Sequence, residues 1–310
     1  MAVAGVDVGG TNIGVGLVQS DHSVHHRSKE PTPTSIDELV GQVGRLVGDY
    51  GDDADAVGLA LPAIIDKGAV VQMPNIEGWT PDLDVAAMLA EQLGVPVDLV
   101  NDAQAGVLGE WVAGAAEGDG FVLGLWLGTG VGGGLVLDGR SYVGSGGGSG
   151  EIGHMVVHPG GARCGCGRRG CLEAYAGRRM MTASAAALQD TGRPTSLFQI
   201  QEKKGKPKAT SGVWQAALED GDEVAIELIA EAIGALGLAV ASCLNLLDLD
   251  RVVIGGGMAD RLDDLAARIA EAARPHAVRK IDDGLIVIAE LGDDSGLVGA
   301  AHVAREALAG

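Results

Sequence analysis

Two stretches of this chain share one plan, and that plan limits the fold more than any other feature. "VDVGGTNIGVGLVQSD" and "LWLGTGVGGGLVLDG" each run as apolar strand, Gly/Thr turn, apolar strand. Two regions that open on the same Gly-rich hairpin predict two lobes of similar design, not a short-period repeat array. Around them strands and helices alternate. "SIDELVGQVGRLVGDY" reads as an amphipathic helix capped by Ser35, and "DLDVAAMLAEQLG" and "AQAGVLGEWVAGAAEG" as further helices. "DAVGLALP" and "VPVDLVND" read as buried strands. Later, "DRVVIGGG" is a strand running into the helix "ADRLDDLAARIAEAA", and "GLIVIAEL" then "GLVGAAHVAREAL" give strand plus helix. Such alternation predicts an α/β fold.

Composition narrows the function. The 310 residues carry 42 acidic and 22 basic side chains, a net charge of −20. That argues against sequence-independent nucleic-acid binding, which needs clustered positive charge. The longest apolar runs are broken by glycine or charge, so no membrane span is expected. The start "MAVAGVDVGG" lacks a basic n-region and a cleavage site, which predicts no signal peptide and a cytoplasmic location. The lysines of "QEKKGKPKATSG" read as a solvated loop.

The 51 glycines cluster at the ends of strand-like runs. Glycine lets the backbone approach an anion and aim several N–H groups at it. "GTGVGG" contains G-x-G-x-x-G at Gly128, Gly130 and Gly133, but the residues after it alternate like a strand and end in a D-G hairpin signal. That excludes a Rossmann turn, and no Walker sequence is present. A third cluster, "VVIGGGM", ends a buried strand at Gly255, Gly256 and Gly257. Three such turns are better explained by one nucleotide than by coincidence. A β-carbon at Gly130 or Gly256 is therefore expected to crowd it.

Two acids stand at strand ends. Asp7, against the turn Gly9-Gly10-Thr11, is placed to hold a metal-bound water near phosphates. Asp102 is either an ordinary helix N-cap or, in a nucleotide site, a base for a substrate hydroxyl. The segment "EIGHMVVHPGGARCGCGRRGCLE" holds three of the four cysteines, Cys164, Cys166 and Cys171, with His154 ahead of them. Three thiolates and one imidazole fill a closed tetrahedral zinc shell of the structural type. His158 is the rival fourth ligand, and Cys243, inside an apolar run, reads as a core thiol.

These motifs together resemble the ROK family (repressor, open reading frame, kinase) of the actin-like ATPase superfamily. "DVGGTNIGVG", "LGTGVGGG" and "IGGGM" are similar to its two phosphate motifs and its adenosine motif. "PNIEGW", "VNDAQA", "EIGH" and "CGCGRRGCLE" are similar to its sugar and zinc motifs, all in the expected order. The resemblance implies a two-lobed α/β fold of the actin-like ATPase (ribonuclease H-like) type with a cleft between lobes. Residues 1–118 would form the smaller lobe, completed by residues 296–310. Residues 119–295 would form the larger lobe, with the zinc loop and a dimerisation surface. It implies an ATP-dependent kinase acting on a hexose 6-hydroxyl, glucose first, with N-acetylmannosamine or N-acetylglucosamine as the alternative and polyphosphate as a more distant donor. Carried over by position, Asp102 is the base, and Asn75, Asn101, Glu151, His154 and Glu173 join it in holding the sugar. Asp7, Gly9, Gly10, Thr11, Asn12, Gly128, Thr129, Gly130, Gly132, Gly255, Gly256 and Gly257 would bind Mg-ATP. His154, Cys164, Cys166 and Cys171 would bind structural zinc. A homodimer or homotetramer is expected, with no nucleic-acid or membrane partner. The family's repressors need a helix-turn-helix ahead of the kinase-like part, and six residues precede Asp7. Two departures stand out: Ala63 where glycine often follows proline, and Asn12 where many members have lysine.

Overall fold

In the computed structural model, which describes residues 2–50, 53–73 and 76–309, the chain builds two five-stranded sheets and a two-stranded one. It divides into two compact units. One comprises Met1–Gly124, Gly134–Gly150 and Ala289–Gly310, the other Leu125–Gly133 and Glu151–Ile288.

The chain begins with β1 (Val3–Val8), β2 (Asn12–Val18), β3 (Val24–Pro31), α1 (Ile36–Gly48), β4 (Ala56–Leu61), β5 (Ile64–Asp66), β6 (Ala69–Gln72), α2 (Val85–Leu93), β7 (Val97–Asn101) and α3 (Asp102–Ala113). The first sheet has the order β3-β2-β1-β4-β7. β1, β2 and β3 pair antiparallel through tight turns, while β4 and β7 join in parallel. β4 is buried along its whole length, as its unbroken apolar run requires of a strand covered on both faces. α1 buries Ile36, Leu39, Val40, Val43 and Val47, an apolar stripe at helical spacing, and the Ser35 hydroxyl caps it by accepting from the Glu38 N–H.

The chain continues through β8 (Val122–Leu127), β9 (Val131–Leu137), β10 (Arg140–Ser141), α4 (Glu173–Ala176), α5 (Arg178–Asp190), α6 (Leu197–Lys203), α7 (Ser211–Glu219), α8 (Glu223–Leu247), β11 (Arg251–Gly255), α9 (Leu265–Ala273), β12 (Ile286–Ile288) and α10 (Ser295–Ala309). The second sheet has the order β10-β9-β8-β11-β12. Asp138 and Gly139 both take positive φ, 56° and 65°, in the two-residue hairpin that the D-G signal predicts. α8 has 25 residues and, despite its internal glycines, is long and apolar enough to cross a membrane; 67% of its most apolar window is buried within the protein. Leu228, Ile229, Leu236, Val240 and Leu244 pack into the core, while Ile226 and Leu246 on the same helix are exposed.

The helix expected through "ADRLDDLAARIAEAA" is interrupted. A 3-10 turn covers Ala259–Arg261, Asp264 adopts a left-handed φ of 58°, and α9 starts only at Leu265. Aspartate tolerates that conformation better than most residues and competes with the helix for backbone hydrogen bonds.

In the first unit α10 returns to pack on β1, β4 and α3. Gly58 lies against the Ala300 carbonyl and Gly299 against the Ala105 carbonyl, so closely that neither position has room for a β-carbon. Glu110, fully buried on α3, fixes the start of α10. Its carboxylate accepts from the N–H groups of Ala115, Glu290 and Leu291 at 3.0, 2.9 and 2.9 Å and from the Ser295 hydroxyl at 2.6 Å. Four donors compensate a charge that would otherwise be costly to bury.

Candidate active site

The first glycine turn joins β1 to β2. Gly9 N–H donates to the Asn12 carbonyl at 3.0 Å, and the Thr32 hydroxyl donates to the Gly9 carbonyl at 2.6 Å, holding the turn from β3's end. Gly10, Thr11 and Asn12 are exposed at its tip. Asp7 sits just before it, against the first turn of α10: a β-carbon at Gly296 would come within 2.6 Å of Asp7 Oδ2. Burial, reinforced by the negative charge of Asp293 and opposed by Lys29, pushes the Asp7 carboxyl up to about 6. A carboxyl in that state gains from a nearby cation.

At the end of β7, Asn101 is the N-cap of α3. Its Oδ1 accepts from the Gln104 N–H at 3.0 Å while its Nδ2 donates to the Ala63 carbonyl at 3.1 Å. Asp102 is therefore the first residue inside the helix, its Oδ1 accepting from the Ala103 N–H at 2.9 Å. The two readings of Asp102 separate here. The capping task belongs to Asn101, and Asp102 stands where the helix macrodipole stabilises negative charge. Each polar atom of Asn101 has one partner within the unit, which fixes the side chain and leaves one N–H and one lone pair for a further ligand. Asn75 lies outside the described residues.

In the second unit the other two glycine turns lie side by side. Gly256, at φ 88°, packs its backbone on that of Leu127 at the end of β8, and Met258 N–H donates to the Leu127 carbonyl at 3.1 Å. A β-carbon at Gly256 would lie 2.8 Å from the Leu127 carbonyl oxygen, so a side chain there is excluded by the protein itself. At Gly130 the missing β-carbon makes room for a protein side chain, the Glu173 carboxylate. Gly128, by contrast, has nothing within 4 Å of where a β-carbon would stand. Thr129 is exposed, and Gly132 and Gly255 belong to β9 and β11.

Glu173 begins α4 and ties the second turn to the cysteine loop. Its Oε2 accepts from the Val131 N–H at 3.1 Å, and its Oε1 lies 3.8 Å from the Cys164 sulfur and 3.8 Å from Arg179. Glu151 precedes a 3-10 turn, Ile152–His154, which brings its carboxylate to 3.8 Å from His154 Nε2. The other ring nitrogen, Nδ1, is 3.9 Å from the Cys164 sulfur.

The ligand atoms of His154, Cys164, Cys166 and Cys171 all lie within 4.8 Å of one another. The Cys166 and Cys171 sulfurs are 3.8 Å apart, and a tetrahedral zinc with Zn–S of about 2.3 Å separates its sulfurs by about 3.8 Å. His158, the rival, is exposed and stacks edge-on against Tyr175 at 4.8 Å. Burial pushes the Cys164 thiol up to about 12, so a cation is needed to make it a thiolate at neutral pH. Cys243 is buried 3.9 Å from the Met155 sulfur and is a core thiol.

Arg178 and Ser211, which no sequence motif singles out, also meet the second and third turns. Nothing local marks them: Arg178 reaches Thr129 across 49 residues and Ser211 across 33.

Glycine turns at strand ends, Asp7 in β1 and Asp102 at the start of α3 define an α/β protein of the actin-like ATPase fold, to which a His/Cys cluster has been added. The chain belongs to the ROK family, whose profile matches residues 3–307. It is 32% identical to a glucokinase of Thermotoga maritima over 100% of this chain and 99% of that one. It is 29% identical to an N-acetylmannosamine kinase of Haemophilus influenzae over 99% and 97%. The crystal structure of a ROK family glucokinase from Streptomyces griseus, in complex with glucose and AMPPNP, superposes with a TM-score of 0.86 at 29% identity, covering 99% of this chain and 100% of that one.

Proposed function

We propose that the protein is an ATP-dependent hexose kinase that transfers the γ-phosphoryl group to the 6-hydroxyl of glucose. The observation that carries the reading is the division of labour at α3. Asn101 takes the cap, leaving Asp102 a carboxylate inside the first helical turn. In this role Asp102 accepts the proton of the sugar hydroxyl as its oxygen attacks the γ-phosphorus in line. The new O–P bond forms while the bond to the bridging oxygen breaks, and ADP leaves. Magnesium carried with the nucleotide would offset phosphate charge. Asp7 would face a water of its shell, and the exposed tips Gly10-Thr11-Asn12 and Gly128-Thr129 would present backbone N–H groups to the phosphates.

Glu151, His154 and Glu173 would hold the remaining hydroxyls. His154 directs Nδ1 to the thiols and Nε2 towards Glu151, which supports a residue that serves cysteine loop and sugar together. His154, Cys164, Cys166 and Cys171 would hold one zinc. A full N/S shell would leave no open position, so the four ligands would use the ion to order the loop and not for phosphoryl transfer. The thiol chemistry fits a reducing, cytoplasmic location, and a homodimer is the expected assembly.

A coupled ADP-release assay over hexoses and 2-acetamido hexoses, with ATP and then polyphosphate as donor, tests the reading. Glucose with ATP is expected to give the highest kcat/KM. Preference for N-acetylmannosamine would move the substrate to the 2-acetamido class, and absence of phosphorylation across the panel would overturn the proposal.

A further inference from the structure

Arg178 opens α5 directly after Gly177, and its guanidinium is half-buried. One terminal nitrogen donates to the Ser211 hydroxyl at 2.9 Å and the other to the Thr129 hydroxyl at 3.1 Å. Its own N–H donates to the Gly128 carbonyl at 3.2 Å, and that of Arg179 to the Thr129 carbonyl at 3.0 Å. Thr129 is the tip of the second glycine turn. Ser211 borders the third: its hydroxyl would lie 3.2 Å from a β-carbon on Gly257. One side chain thus spans both turns.

The chemistry of its partners matters more than their number. A guanidinium has five N–H donors and a permanent charge. Two neutral hydroxyls fix the plane of the fork without neutralising it. Among the described residues no carboxylate lies within ion-pair distance of Arg178, whereas the neighbouring Arg179 faces Glu173 at 3.8 Å. In a chain with 42 acidic side chains, a half-buried arginine held by alcohols alone is a charge kept for an anion.

We infer that Arg178 binds the phosphates of the donor nucleotide, clamping them between the Thr129 tip and the Gly255–Gly257 turn. This rests on the kinase reading above and adds a ligand to it that no glycine motif contains. Arginine suits the position because its fork can keep both hydroxyl bonds and still offer N–H groups to phosphate oxygens. Lysine would keep the charge and lose the fork.

The test is calorimetric titration of wild type, Arg178→Gln and Arg178→Lys with Mg-ATP, Mg-ADP and adenosine. Thermal melting of each ligand-free protein accompanies it. Losing a charge-assisted contact is expected to weaken Mg-ATP binding by about 10- to 100-fold in Arg178→Gln. Arg178→Lys should fall between the two proteins. Adenosine affinity should stay at the wild-type value, and the ligand-free melting temperature should be no lower, since an uncompensated charge has been removed. Equal losses for Mg-ATP and adenosine would reduce Arg178 to a brace for the turns and overturn the inference. So would unchanged Mg-ATP affinity. A wild-type protein that binds no nucleotide would instead overturn the kinase reading beneath it.

Discussion

The carboxylate of Glu173 accepts a hydrogen bond from the backbone N–H of Val131 at 3.1 Å, joining the cysteine loop to the second glycine turn within one unit. Gly130, next to Val131, lacks the β-carbon that would strike the same carboxylate. The turn is therefore shaped around the Glu173 carboxylate, the acid proposed above to hold the sugar.

Gly130→Ala should act mainly on the sugar. Displacing Glu173 by a fraction of an ångström to an ångström is expected to raise the sugar KM or lower kcat by up to about 100-fold. The ATP KM should move less. Steady-state kinetics with each substrate varied separately decides the matter: a change confined to ATP would return Gly130 to the phosphate role alone.

Gly10→Val and Gly128→Val are the cleaner probes of the nucleotide. Neither position has protein within 4 Å of its missing β-carbon, and neither has a left-handed φ. A β-carbon there meets no protein beyond its chain neighbours, so the nucleotide KM should rise about tenfold or more with the melting temperature little changed. Gly256→Val, in contrast, should destabilise the fold, because it combines a φ of 88° with contact against the Leu127 backbone.

Much of this was legible in the sequence because it is local. The hairpins β1–β2 and β8–β9, the Ser35 cap and the Asp138-Gly139 turn all arise from neighbouring residues. What escaped was either non-local or decided by a single conformation. The Glu173–Val131 bond spans 42 residues, and Arg178's hydroxyl partners lie farther apart than any motif window. The break at Asp264 depends on one left-handed residue in an otherwise helical pattern. The identity of the α3 cap turned on one residue, since Asn101 and Asp102 are equally good caps by type. The reason for Gly130 was invisible, because a glycine shows what is absent and not what takes its place.

Metal analysis should find about one zinc per chain, lost on chelation or in Cys166→Ser. Cys166 is the exposed member of the cluster, and Cys164 and Cys171 are buried. Separate titrations should show sugar binding lost first, because Glu151, His154 and Glu173 flank the loop, with nucleotide affinity changed least. Normal sugar binding by metal-free protein would refute the proposed role of the ion.

Asp7 gives a pH signature. Its folded carboxyl titrates near 6 against an ordinary value of 3.8, so between those values the folded chain holds a proton that the unfolded chain has released. Stability contributed by this group therefore falls as pH rises through that window, and the cost of ionisation is fully present above pH 6. Asp7→Asn should be more stable than wild type in denaturant at pH 8, with the advantage shrinking as pH drops towards 4. The same variant should bind Mg-nucleotide more weakly. A stability difference that does not change with pH would contradict the assignment of the shift to Asp7.

Asp102 is the proposed base for the sugar hydroxyl, and the decisive measurement is kcat of Asp102→Asn with glucose and Mg-ATP. Asparagine preserves the shape and can still accept from the Ala103 N–H, so glucose and nucleotide affinities measured by calorimetry should stay near wild type. Turnover should fall by about 100- to 10,000-fold, the range for losing a general base. A variant that turns over glucose within a few-fold of wild type would contradict the account.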